Sequence, residues 1–237
     1  MKKILFLMAL TLVACKGRHL GWVTDKETKA EIVAPKLNTS IAGVQFTFDD
    51  GPDLAKTPKV LDALKKHNLQ ATFFVEGINL DGTSEQAQER RELLKRVMSD
   101  GHIIGNHTYD HKDLCRLSSE TAAWELDKTT ELIKSTTGLD RVEYIRPPYG
   151  KKCKSLNKLL DARKMKAVYW QIDPREWERD QKTHQFKTAD QVLEGIMTQY
   201  HQLHDEQGIK HMIIILHDTK QVTVDLLPKL LDTLSKL

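Results

Sequence analysis

Apolar segments of strand length alternate with longer segments of helical periodicity along most of this 237-residue chain. Ile41 to Phe46, Ala71 to Val75 and Met212 to Leu216 are three such largely apolar segments. Strands without polar alternation are typical of parallel sheets, because helices cover both faces of such a sheet. The alternation therefore predicts an α/β fold with a parallel sheet.

The segments between these strands carry sequence signals for helix ends. Pro58 follows Thr57 at a predicted helix start, and Thr188 with Gln191 forms a predicted capping box. A series of leucines after residue 225 predicts the last helix, with Pro228 near its first turn. These helices supply the covering layers that a parallel sheet needs.

Polar side chains follow the predicted strands at the point where each strand ends. They are Asp49 with Asp50, His107, Arg146, Asp173 and His217. In a parallel barrel the carboxyl ends of the strands form one face, and active sites are built there. We therefore predict a distorted or incomplete (β/α) barrel of about seven parallel strands, with a site on that face.

Two adjacent carboxylates, Asp49 and Asp50, follow the first predicted strand. Side chains on a regular strand alternate between faces, so adjacent aspartates do not share a site while the strand stays regular. Gly51-Pro52 predicts that the strand ends there and that the chain curls, which lets both carboxylates converge. Taken alone, the pattern also fits a strand followed by an ordinary Asp-Gly turn.

Two histidines, His107 and His111, lie four positions apart in the sequence. One helical turn at this spacing would let both imidazoles reach one ion, although solvated histidine pairs with the same spacing are common. Together with Asp50 they give two imidazoles and one carboxylate. This is a ligand set of catalytic zinc sites that leave one position open for water.

The amino-terminal residues have the features of an export signal. Met1-Lys2-Lys3 is basic, and the mostly apolar segment from Ile4 to Ala14 is shorter than the roughly 20 residues of a spanning helix. Leu12 to Cys15 resembles a bacterial lipobox, in which the cysteine is acylated; a plain signal peptide is the alternative. We expect a signal peptide over residues 1–14, a lipidated tether over 15–40, and export to the cell envelope.

The remaining composition is that of one globular domain, predicted over residues 41–237. The formal charge is +3, and without Lys2 and Lys3 the chain has 34 basic and 33 acidic residues. Such a balance gives no indication of nucleic-acid binding. We expect a monomer whose membrane contact is made through Cys15.

Five ordered motifs together resemble those of the polysaccharide deacetylases, the NodB-homology group or carbohydrate esterase family 4. They are Thr47–Pro52, His107–His111, Arg146–Gly150, Asp173–Trp177 and Leu216–His217. The resemblance covers about residues 41–237 and implies a NodB-type barrel.

The resemblance implies a role for each matching residue of the metal side. Asp50, His107 and His111 would hold a divalent metal, most often zinc. Asp49 would be the base that takes a proton from the attacking water. Arg146 would pair with Asp49 and keep it ionised, since a nearby cation favours the charged carboxylate.

The resemblance also implies the roles on the opposite side. His217 would be the acid that protonates the departing amine, and Asp173 would keep its imidazole charged. The backbone N–H of Tyr149 would stabilise the oxyanion, while Trp177 and Leu216 would enclose the acetyl methyl. In the fourth motif, Glu176 stands where the family usually has aspartate, which leaves the fine geometry there open.

The implied activity is metal-dependent removal of acetyl groups from N-acetylglucosamine residues of a polysaccharide, with peptidoglycan favoured by the expected location. Chitin oligomers and O-acetyl esters such as acetylated xylan are alternative substrates. A non-catalytic glycan-binding lipoprotein is an alternative of another class, and so is a glycosidase that pairs Asp49 with Glu176.

The expected mature domain contains two cysteines, Cys115 and Cys153. Cys115 follows the second motif and Cys153 follows the third, so both should border the same mouth. Because exported proteins fold in an oxidising compartment, we predict a disulfide between them. Two unpaired thiols on neighbouring loops are the alternative.

Overall fold

The computed structural model describes residues 33–37, 39–179 and 183–237. The predicted signal peptide, the lipobox with Cys15 and the tether up to residue 32 lie outside the described residues. Within the described ranges, none of the helices combines the length and the apolar character that crossing a bilayer requires.

Strands and helices alternate along the chain. The strands are β1 (Val44–Gly51), β2 (Ala71–Val75), β3 (Ile103–Asn106), β4 (Tyr144–Ile145), β5 (Lys166–Ala167) and β6 (Met212–His217). The helices are α1 (Thr57–Lys66), α2 (Glu85–Ser99), α3 (Ser119–Thr137), α4 (Lys154–Arg163), α5 (Ala189–His201) and α6 (Gln221–Leu234). The predicted α/β architecture is therefore confirmed.

The six strands form one parallel sheet in the order β5-β4-β3-β2-β1-β6. The predicted strand from Ala167 to Ile172 is mostly irregular, because this segment passes from one edge of the sheet to the other. The N–H of Val168 donates to Ile145 of β4 (2.8 Å), and the N–H of Gln171 donates to Ile213 of β6 (3.0 Å). The sheet thus curls into the incomplete, distorted barrel that the sequence predicts.

The central strands are buried on both faces. All five residues of β2 and all six of β6 are buried, which explains their continuous apolar sequence. In the register of β1 with β6, Phe48 lies opposite Leu216, and Asp49 lies opposite His217. This register brings the first and fifth sequence motifs to the same edge of the sheet.

The helix ends follow the sequence signals at several positions. The side chains of Ser84 and Ser118 accept hydrogen bonds from the first turns of α2 and α3, and Thr188 with Gln191 forms the predicted capping box. The position predicted for Pro228 is wrong, because α6 begins at Gln221 and the proline lies inside the helix. Five buried leucines of α6 hold the helix against the core, and this packing overrides the local preference of proline for a first turn.

The described residues before β1 already contact the domain. Val33 packs against the cluster that contains Phe74 and Tyr144. The hydroxyl of Thr39 accepts a hydrogen bond from the backbone of Gln70 (2.7 Å). Part of the segment that the sequence assigns to the tether therefore packs against the barrel.

The predicted disulfide is confirmed. Cys115 and Cys153 are bonded, with their Cα atoms 5.9 Å apart. The bond ties the segment after the second motif to the residue that precedes α4. Two loops that border the predicted site are thereby linked covalently.

Candidate active site

A bulge at the end of β1 turns both aspartates toward one site. The pairing of β1 with β2 shifts in register between Asp49 and Gly51, and Asp50 has φ 72°. This left-handed conformation is unusual for a residue with a side chain, and it breaks the strict alternation of the strand. The carboxylates therefore converge through the bulge at Asp50 itself, and not through the Gly51-Pro52 turn that the sequence predicts as the cause.

A buried ion pair fixes the first aspartate. Arg146 is completely buried, and its Nη1 donates to Oδ1 of Asp49 (2.8 Å) and to the hydroxyl of Thr47 (2.7 Å). Its guanidinium also lies 4.4 Å from the ring centroid of Phe74. The buried guanidinium of Arg146 thus holds the carboxylate of Asp49 in one orientation.

The second aspartate and two histidines form a cluster with the spacing of a metal site. Nε2 of His107 and Nε2 of His111 lie 3.4 and 3.7 Å from Oδ1 of Asp50. One donor atom from each of the three residues lies within 4.8 Å of the other two. Among the described residues, these three form the group that could hold a metal ion. The predicted ligand set is therefore brought together.

The state of these donors fits a divalent cation. Oδ1 of Asp50 is buried and makes no hydrogen bond within the described part of the chain. Nδ1 of His107 lies 2.7 Å from the carbonyl oxygen of Arg146, to which it can only donate, so Nε2 is the ring nitrogen that could bind an ion. Burial raises the pKa of Asp50, but the imidazoles of His107, His217 and His111 outweigh it and hold the pKa below its usual range.

The two histidines lie on a loop, so the helical turn expected from their spacing is absent. Thr108 and His111 both have positive φ (69° and 61°) between β3 and the next helical turn. Glu125 of α3 is completely buried, and its Oε2 accepts the backbone N–H groups of Tyr109 (2.9 Å) and Asp110 (3.2 Å). The loop conformation is thus set by α3, a contact that sequence spacing does not reveal.

His217 pairs with the carboxylate of Glu176. The prediction that Asp173 is its partner is wrong. Oε1 of Glu176 lies 2.8 Å from Nδ1 of His217 and accepts the backbone N–H of the same histidine at 2.7 Å. Burial lowers the pKa of His217, but the hydrogen bond and charge of Glu176 outweigh it and raise the pKa to about 9. Glu176 is itself completely buried.

Asp173 has partners of its own. Its Oδ1 accepts the backbone N–H of Arg175 (3.0 Å), and its backbone N–H donates to the side chain of Gln199 (3.0 Å). Burial raises the pKa of Asp173, and the nearby charge of Glu176 adds to this effect. Asp173 therefore shapes the loop that carries Glu176.

The residues predicted to contact substrate differ in exposure. Tyr149 is 63% exposed and Trp177 is 42% exposed. Tyr149 has a positive φ of 59°, and its ring packs edge-on against the ring of His111, with centroids 4.7 Å apart. Leu216 is completely buried within the main core, so it offers a ligand no surface, and its predicted contact with the acetyl methyl is wrong. Because side chains alternate along β6, Ile215 shares the face of His217 instead.

Two further carboxyl groups lie near the cluster and were missed by sequence reasoning. Asp218 is buried, accepts the hydroxyl of Thr57, and has its pKa raised by burial to about 7. Burial and the charge of Asp50 likewise raise the pKa of Glu76 to about 7. The sequence does not reveal either pKa shift, because both shifts arise from tertiary packing.

Comparison with known families places this geometry in context. The family model for polysaccharide deacetylases matches residues 36–170, which include the aspartate pair, the two histidines and Arg146. The chain belongs to the polysaccharide deacetylase family. The predicted family is thereby confirmed.

Curated relatives include enzymes that act on two kinds of glycan. A peptidoglycan-N-acetylglucosamine deacetylase of Bacillus cereus is 39% identical over 136 residues, which are 57% of this chain and 46% of the relative. A chitooligosaccharide deacetylase of Sinorhizobium fredii is 34% identical over 145 residues, or 61% and 64% of the two chains. The chain thus spans about half to two thirds of the length of these relatives.

Solved structures show the same fold with and without activity. Peptidoglycan deacetylase PdaC of Bacillus subtilis superposes with a TM-score of 0.66 at 29% identity, covering 83% of this chain and 84% of that one. A protein of Bacillus anthracis described as a pseudoenzyme of carbohydrate esterase family 4 gives a TM-score of 0.67 at 25% identity, covering 83% and 61%. Fold similarity therefore leaves activity to be argued from the site residues.

Proposed function

We propose that the protein is a metal-dependent deacetylase that hydrolyses the acetamide of N-acetylglucosamine residues in a polysaccharide. One observation carries the proposal: a metal-ligand cluster and an arginine-held aspartate lie opposite a histidine whose pKa is raised to about 9. This combination provides a base on one side and a protonated acid on the other, as hydrolysis of an amide requires.

Asp50, His107 and His111 would hold the metal, and their two nitrogens and one oxygen favour zinc. When bound, the cation supplies Lewis acidity, which makes water nucleophilic near neutral pH and polarises a carbonyl group. The open position needed for this chemistry is consistent with a set of three protein ligands.

Asp49 accepts the proton of the attacking water. Its Oδ1 is engaged by Arg146, so Oδ2, which lies 3.7 Å from Nε2 of His107, faces the cluster and is the basic atom. The hydrogen bond from Arg146 prevents the carboxylate from rotating. Adjacent aspartates therefore take separate roles, one as ligand and one as base.

His217 donates the proton to the departing amine. Because Glu176 accepts from Nδ1, the imidazolium presents its other N–H, on Nε2, to the substrate. A pKa of about 9 keeps this histidine protonated at neutral pH. Without protonation the nitrogen would have to leave as an amide anion, which is a poor leaving group.

Backbone and apolar groups complete the proposed pocket. The N–H of Tyr149 donates to the developing oxyanion, and Trp177 covers the acetyl methyl together with Ile215 on the face of His217. Such a dry pocket strengthens the electrostatic interactions of the reacting groups.

Peptidoglycan is the proposed substrate, and residues 1–15 are the proposed means of reaching it. Relatives that act on peptidoglycan support the substrate, and the sequence Leu12 to Cys15 supports export with acylation of Cys15. We propose that the lipid anchors the catalytic domain at the membrane surface, where it meets the cell-wall glycan.

The test compares acetate release by the purified zinc-loaded protein from peptidoglycan, from N-acetylglucosamine oligomers and from acetylated xylan. Release from the two acetamide substrates, with little from xylan, is the expected result. Release from xylan alone would replace the proposal with an O-acetyl esterase. No release from any of the three would contradict the proposal.

A further inference from the structure

An exposed apolar patch lies beside the metal-binding loop. Ile78 and Trp124 are each 49% exposed. Ile78 contacts the backbone of Tyr109, and Trp124 contacts its ring. Tyr109 and Trp124 meet edge to face, with ring centroids 4.8 Å apart. We call these three residues the aromatic platform.

The platform is held rigidly. The N–H of Gly77 donates to Thr108 (3.0 Å), and the N–H of Ile78 donates to Tyr109 (2.8 Å), so the loop after β2 is joined to the metal loop. The hydroxyl of Tyr109 donates to Asp81 (3.0 Å). A Cβ at Gly77 would lie 2.9 Å from the Tyr109 ring, so the glycine permits this close approach.

The platform shares a loop and a supporting helix with the candidate active site. Tyr109 stands between His107 and His111 in the same loop, and α3, which carries Trp124, also holds that loop through Glu125. The platform and the candidate metal ligands are therefore held by the same loop and the same helix.

Polar groups surround the apolar surface. Asp81 accepts from Tyr109, and Lys128, one helical turn beyond Trp124, lies with its Nζ 3.6 Å from Asp81. An aromatic ring bordered by hydrogen-bonding groups matches a pyranose, which has an apolar face of C–H groups and an edge of hydroxyls. Tyr and Trp supply such contact area at a small cost in side-chain entropy.

We propose that the aromatic platform is a sugar-binding subsite, which takes a neighbouring hexosamine of the glycan whose acetamide is hydrolysed. The inference rests on the proposed function, since it assigns a second contact to the same polysaccharide. It predicts that the protein prefers longer chains over short ones, because only longer chains span both the metal cluster and the platform.

The experiment compares N-acetylglucosamine dimers and hexamers as substrates of the zinc-loaded protein. Trp124→Ala should lower kcat/KM for the hexamer about fivefold, with less than a twofold change for the dimer, as loss of one aromatic contact implies. Trp124→Phe should restore most of the loss. Glu131→Ala, an exposed residue of the same helix, is the matched control and should behave as wild type.

A binding measurement separates this inference from the proposed function. Calorimetry of the hexamer with Asp49→Asn, alone and combined with Trp124→Ala, should show about fivefold weaker binding for the double variant. Equal affinities of the two variants, or no binding of the hexamer to either, would overturn the subsite. Wild-type protein that binds the hexamer through Trp124 but releases no acetate would overturn the catalytic proposal alone.

Discussion

Oε1 of Glu176 accepts two hydrogen bonds from one residue, His217, at 2.7 Å from the backbone nitrogen and 2.8 Å from Nδ1. The first bond positions the carboxylate, and the second holds the imidazole in its charged form. A glutamate supported by the backbone in this way can replace the aspartate that the family usually has, because its longer side chain reaches in from the loop after Ile172. Glu176 is thus a positioning residue for the proposed acid.

Replacing this carboxylate should lower the pKa of His217. Burial alone lowers the pKa of the imidazole, so Glu176→Gln removes the opposing charge that raises it to about 9. In metal-free protein, an NMR titration of the His217 ring should show a pKa below that of wild type. In the zinc-loaded enzyme, the basic limb of the activity profile should move to lower pH. Asp173→Asn should change the pKa less, and an equal or larger effect there would restore Asp173 as the partner.

The same pair makes the metal-free fold sensitive to pH. The pKa of His217 is raised from 6.5 to about 9 on folding, so its contribution to stability is fully present below pH 6.5 and is lost as the pH rises through 9. The free energy of unfolding should therefore fall more over this window in wild type than in His217→Gln. Denaturant titrations at pH 6 and pH 10 measure the difference, and parallel curves would contradict the pairing.

The adjacent aspartates should separate metal binding from catalysis. Asp50→Ala removes a predicted ligand and should lower zinc occupancy as well as rate. Asp49→Asn should keep the metal and lower the rate by ~10²- to 10⁴-fold, because it removes the base but keeps the shape. Metal analysis after dialysis, together with acetate release, measures both effects; equal metal loss in the two variants would show that the roles are wrongly assigned.

Glu125 should influence metal affinity although it holds no ion. Glu125→Ala leaves the N–H groups of Tyr109 and Asp110 without their buried acceptor, so the loop that carries both histidines should loosen. We expect zinc affinity to fall about 10- to 100-fold, as is typical when a group that orients metal ligands is removed. Glu125→Gln, which keeps an acceptor oxygen, should lose less. Equal zinc affinity of Glu125→Ala and wild type in a competition titration would contradict this role.

The disulfide should stabilise the mouth of the site. It closes a loop of 38 residues, for which the chain-entropy model gives about 4 kcal/mol of stabilisation. For a domain of this size, the double variant Cys115→Ser and Cys153→Ser should melt about 10 °C lower. Calorimetry tests this expectation, with Cys15→Ser as the control that should leave the melting temperature of the folded domain unchanged.

Sequence patterns reveal the sheet and the strand ends because burial and strand polarity act locally. Asp49, Asp50 and His217 lie in the last residues of their strands, and His107 and Arg146 directly follow theirs. A parallel sheet brings such positions together whatever their separation in the chain. The disulfide was predictable for the same reason, since both cysteines follow motifs at that edge.

Contacts that depend on side-chain direction were not predictable in the same way. Asp173 and Glu176 lie on one loop, and only the three-dimensional structure shows which carboxylate reaches His217. Leu216 and Ile215 are adjacent and equally apolar, so the register of β6 decides which one faces the site. Glu125 has the sequence surroundings of any polar helix residue, and its role appears only once the metal loop lies against α3.

The most direct test of the account is acetate release from N-acetylglucosamine oligomers before and after removal of metal. Protein stripped with a chelator should release no acetate, and addition of one equivalent of zinc should restore release in wild type but not in Asp49→Asn. Release that persists in fully stripped protein, or that zinc restores equally in Asp49→Asn, would contradict the proposed metal site and its base.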